Sequence, residues 1–125
     1  PKPLAPSQNA KRLILRAQTR DWPLVDADRP DESHTPESFG LSVRLSDDLF
    51  DWLMDYDQAD FPAERPPGPY DTPDWTEAQI AAFDARGRAL AVRVARQLAA
   101  TGRGDTRVAF TTIAGADVAV DRGEG

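Results

Sequence analysis

The segment SDDLFDWLMDYD, residues 46–57, decides how the rest of the chain is read. At about 100° per residue, Leu49, Trp52, Leu53 and Tyr56 share one side of a helix and Phe50 and Met54 flank them. Asp47, Asp48, Asp51 and Asp55 fill the remaining arc. Ser46 is placed to cap this helix, and Asp47 and Asp48 suit its positive end. Asp57 and Asp60 would fall on the apolar side of a longer helix, so the pattern predicts an end soon after Tyr56. More than half of the circumference is apolar, and such a helix must bury its face against other elements.

Working outward, prolines 62, 66, 67, 69 and 73 forbid regular structure up to Trp75. Thr76 and Gln79 then spell a capping box, and Ile80, Phe83, Leu90, Ala91, Val94 and Leu98 form a narrow stripe on a second helix. Gly87 lies inside that stripe, where it costs about 1 kcal/mol against Ala, so a neighbouring element is expected to approach closely there. Gly102 is expected to close the helix. Residues 107–113 and 117–121 read as a hairpin around Gly115. Before the helices, residues 11–19 read as a strand, with Leu13, Leu15 and Ala17 on one face, and 20–40 as a loop punctuated by prolines. Leu41, Val43 and Leu45 alternate with Ser42, Arg44 and Ser46, which predicts a second short strand. Residues 1–10 hold three prolines and little periodicity and read as a flexible arm ahead of one domain, 11–125. The predicted order is β-β-α-α-β-β: a two-layer α+β domain, an antiparallel sheet of three to four strands with two helices on one face. There is no internal repeat.

Charge narrows the function. The 125 residues carry 21 acids against 15 bases, a net −6, unevenly spread. Residues 1–20 have five bases and no acid, whereas 46–74 have nine acids against Arg65 alone. An acidic balance argues against nucleic acid as the main partner and for a basic protein. With no cysteine, disulfide scaffolds, thiolate metal sites and thiol nucleophiles are excluded. No apolar run approaches the roughly 20 residues of a membrane span and residues 1–20 lack a signal-peptide core, so the expected location is cytoplasmic, away from membranes. A chain that starts at Pro1 without Met is either processed or part of something longer.

The acidic ridge of the first helix is the leading site. Asp47, Asp51 and Asp55 repeat at i, i+4, where like charges cost about 0.2–0.5 kcal/mol per pair. The ridge is either a solvated face, or is paired internally with Arg12, Arg16 or the second helix's arginines, or meets a partner. Asp26, Asp28 and Glu37 fall at positions 1, 3 and 12 of a calcium loop, but Pro30 and Asp31 occupy the positions that need a ligand and a Gly. Asp55, Asp57 and Asp60 lack any fixed ligand geometry, and no metal or cofactor is expected. His34, the only histidine, lies between Glu32 and Glu37 in a polar loop and reads as a bystander. No GxSxG, phosphate loop or HExxH is present, and nothing singles out an acid pair for hydrolysis. Arg103-Gly104-Asp105 reads as a turn. Trp52 belongs to the core, whereas Trp22 and Trp75 flank prolines and serve either core closure or binding.

The segments LSDDLFDWLMDYDQADF (45–61) and AFDARGRALAVRVARQL (82–98), joined by a proline-rich loop and followed by a strand, resemble small, acidic, mostly uncharacterised proteins of high-GC bacteria. Some of these look like immunity proteins of polymorphic toxin systems. The resemblance implies a non-catalytic, antitoxin-like inhibitor presenting acids to a basic partner. The expected contact residues are Asp47, Asp48, Asp51 and Asp55, with Asp57, Asp60 and Trp75 at the rim. A structural or accessory subunit of a larger assembly is the alternative.

Overall fold

The computed structural model describes residues 11–17, 22–28, 35–58, 75–102 and 105–120. Its elements are β1 (Arg12–Leu15), β2 (Leu24–Asp26), a 3-10 turn (Pro36–Phe39), α1 (Val43–Asp57), α2 (Glu77–Ala100), β3 (Arg107–Thr111) and β4 (Asp117–Val120). The class is α+β with the order strand, strand, helix, helix, strand, strand. The flexible-arm expectation for 1–10 falls outside the described residues, as do Asp60 and His34.

The four strands form one sheet in the order β2-β1-β3-β4. The sheet is mixed, where an antiparallel one was expected: β1 and β3 run parallel at its centre, with Leu13 opposite Val108 and Leu15 opposite Phe110. The two edge pairs are antiparallel. The physical reason is connectivity. Parallel neighbours need a long crossover, and both helices lie in the chain between β1 and β3. Leu13, Leu15, Val108 and Phe110 alternate inward and share one core with Leu49, Trp52, Phe83, Leu90, Val94 and Leu98 of the helices.

Two further expectations are corrected. The second strand is Leu24–Asp26, inside the segment read as loop, and not residues 41–45. Leu24 and Val25 are buried and the Asp26 carboxylate accepts the Asp28 N–H at 2.9 Å, ending the strand in a local turn. Leu41 and Leu45 are indeed both buried, but their four-residue spacing is also one helical turn, while Val43 between them is 64% exposed. Helix α1 therefore starts earlier than expected. Its cap is Ser42, whose hydroxyl accepts the Leu45 N–H at 3.1 Å, and Ser46 is buried within the helix. Asp47 and Asp48 consequently lie beyond the first turn, and the helix dipole does little for them.

The second helix follows its pattern closely. Thr76 and Gln79 form both bonds of the capping box, Gln79 N–H to Thr76 Oγ1 at 3.1 Å and Thr76 N–H to Gln79 Oε1 at 2.8 Å. At Gly87 the expected close approach is real. A Cβ there would lie 2.5 Å from Phe110 Cε1 and 2.7 Å from Trp52 Cζ2. The Trp52 indole stacks on Phe83 at 4.6 Å between centroids and donates its N–H to the Phe83 carbonyl at 3.0 Å. Helix α2 ends at Ala100 with Thr101 as its C-cap and Gly102 following at φ 84°, and Gly115 turns the last hairpin at φ 92°.

Candidate functional site

Helix α1 lies between α2 and solvent, and this divides its carboxylates into two groups. On the side that meets α2, Asp48 Oδ2 accepts from Arg93 at 2.7 Å and Asp55 Oδ2 from Arg86 at 2.5 Å. Two members of the expected contact ridge are thus matched within the fold, by arginines of the second helix. Both pairs are open to water, with the Arg86 and Asp55 side chains about half exposed, so each contributes at most a few tenths of a kcal/mol. Between these pairs runs a shallow groove of about 330 Å³, lined by Asp48, Asp51, Arg86, Ala89, Leu90 and Arg93.

Away from these pairs the acids are not matched. Asp47 and Asp57 on the outer side, and Asp51 at the rim of the groove, are exposed and form no ion pair among the described residues. Arg44, which the earlier helix start brings onto α1, lies one turn before Asp48 and is also without an ion pair among the described residues. The outer side, with Asp47 and Asp57, holds the two large exposed hydrophobic residues of the described chain, Val43 at 64% and Phe50 at 44%. Met54 beside them is half-buried. The two faces of one helix thus carry the same side-chain type in opposite electrostatic settings.

The tryptophans divide as the sequence allowed. Trp75, expected at the rim, is half-buried and packs on Phe83 with ring centroids 4.9 Å apart, closing the core over the start of α2. Trp22, left open by the sequence, lies 6.1 Å from the exposed Phe50. Phe50 itself was read as a flank of the buried face. It lies at the edge of that face, one turn before Leu53, and how far neighbouring elements cover the edge is not shown by periodicity alone.

A second hollow of about 320 Å³ opens at the carboxyl ends of β1 and β3, lined by Arg16, Tyr56, Thr111, Thr112, Ile113 and Asp117 among others. The Thr111 hydroxyl donates to Asp117 Oδ1 at 2.6 Å. Beside it Asp84 of α2 accepts the Ile113 N–H at 3.0 Å. Partial burial raises the Asp84 pKa above the ordinary carboxylate value, and the Ile113 hydrogen bond opposes that shift. The residues weighed as a calcium loop do not converge. Asp26 is spent on the Asp28 backbone and the Asp28 carboxylate accepts from Arg12 at 2.9 Å. Among the described residues no group of three or more His, Cys, Asp or Glu is placed to hold a metal, and no helix is long and apolar enough to cross a membrane.

No protein-family model, no curated protein and no solved structure matches this chain, so the site stands on its own geometry.

Proposed function

We propose that this protein is a non-catalytic binding protein that neutralises a basic protein partner, in the manner of an antitoxin or immunity inhibitor. The observation that carries the reading is the outer side of α1. There Asp47 and Asp57, with Asp51 on the flank toward the groove, are exposed and in no ion pair with a base of the described residues, in a chain of net charge −6. These three acids outnumber Arg44, the one base of α1, and an excess of negative charge raises the rate at which a basic protein arrives and disfavours acidic ones. Asp48 and Asp55 take a lesser part, because Arg93 and Arg86 already hold them. Inhibition follows by occlusion: a helix seated over a basic cleft blocks it without chemistry of its own.

The test is capture from the native cell lysate with the wild type beside an Asp47→Asn, Asp51→Asn double variant, across a salt series. The expected result is a basic protein retained by the wild type, released by salt and reduced at least tenfold with the variant. Equal, salt-insensitive recovery by both would overturn the reading and favour a subunit of an assembly that binds through another surface.

A further inference from the structure

The outer side of α1 has a regular spacing that charge alone does not explain. Val43, Asp47, Phe50, Met54 and Asp57 follow one another at intervals of four, three, four and three residues. That is the spacing of a seam along which a second helix packs side by side. A helix stripe that faces only water is expected to be mostly polar. Here three are apolar, and Val43 and Phe50 are the two large hydrophobic residues that the described chain leaves exposed. The Trp22 ring beside Phe50 widens the apolar strip on one flank, and Asp51 lines the other.

We infer that this strip is the docking site for a basic amphipathic helix of another protein. The inference rests on the partner reading above and specifies the partner's form. Charge complementarity selects the occupant. Asp47 and Asp57 interrupt the seam at positions that must face the incoming helix, so that helix has to place Lys or Arg opposite them and apolar side chains opposite Val43, Phe50 and Met54. A second copy of this chain would bring identical carboxylates into the same seam, which disfavours self-pairing.

The probe is a synthetic helical peptide with leucines at seam spacing and lysines at the two positions opposite Asp47 and Asp57. Its control is a scrambled peptide of identical composition and charge. Binding is followed by fluorescence anisotropy, with far-UV circular dichroism confirming that each variant is folded. The expected result is at least tenfold tighter binding of the amphipathic peptide, a preference abolished by Phe50→Ser with Val43→Ser. Asp47→Asn with Asp57→Asn should weaken both peptides and flatten the salt dependence. Equal binding of both peptides, or no loss with Phe50→Ser and Val43→Ser, would overturn the helix-docking inference while leaving a charge-driven partner in place. Sedimentation showing wild-type dimers that dissociate with Phe50→Ser would overturn it in favour of self-association. The partner reading fails separately, when the lysate capture is insensitive both to salt and to the aspartate changes.

Discussion

Trp52 and Phe50 are two residues apart on one helix, and they show how differently the two faces of α1 are used. Trp52 is fully buried, stacked on Phe83 and hydrogen-bonded to a carbonyl of the opposite helix, whereas Phe50 is nearly half exposed beside Trp22. The carboxylates repeat the contrast, since Asp48 and Asp55 are matched by arginines and Asp47, Asp51 and Asp57 are not. One face is fitted to the rest of the chain, and the other leaves apolar and acidic side chains open to water.

The largest break in this comparison comes from truncating one aromatic residue on each face. Trp52→Ala should cost about 3–5 kcal/mol by opening a cavity among Phe83, Phe110 and Gly87. Phe50→Ala, which loses about half of a ring's burial beside Trp22, should cost about 1 kcal/mol. Urea unfolding of both variants measures the difference, and similar losses would mean that Phe50 belongs to the core after all. Gly87→Ala comes next. The added methyl would press on the Phe110 and Trp52 rings, an overpacking cost of about 1–3 kcal/mol that outweighs the better helix propensity of Ala.

A smaller effect tests where the helix begins. Ser42→Ala removes the cap on Leu45 and should destabilise by about 1 kcal/mol, with a further loss because Gln97 Nε2 also donates to that hydroxyl at 3.0 Å. The start matters for the outer face, because only a helix that includes Val43 completes the seam. Thermal unfolding of Ser42→Ala beside Ser42→Asp, which can still accept the N–H, separates a cap from a mere packing role.

How far the sequence revealed all this follows from the length of each pattern. Helix α2 was legible almost to the residue because its stripe runs over about six turns and its capping box is local chemistry. The same holds for Gly87, whose place inside an apolar stripe makes sense only if something packs against it. Leu41 to Leu45 misled because five residues fit both a strand period and one helical turn, and that error carried the N-cap from Ser42 to Ser46. Strand β2 was missed because three residues behind Pro23 make no pattern at all. Of the site, the acids were legible but their partners were not. Which aspartates Arg86 and Arg93 reach depends on the register of two helices separated by the proline-rich loop.

The smallest expected change in stability offers the sharpest test of the two faces. Arg86→Ala removes the partner of Asp55, and because both side chains are about half exposed the loss should be no more than about 0.5 kcal/mol. Its effect on binding should run the other way. Freed from Arg86, Asp55 joins Asp51 one turn earlier, so the variant presents a longer uncancelled run and a net charge one unit more negative. A basic partner or the lysine-bearing peptide should then associate faster at low salt, with the gain disappearing as ions screen charges beyond about 10 Å at 0.1 M. Stopped-flow association at two salt concentrations reads this directly. A rate unchanged at low salt would mean that the flank of α1 facing α2 contributes nothing to encounter, and that the difference between its two faces is complete.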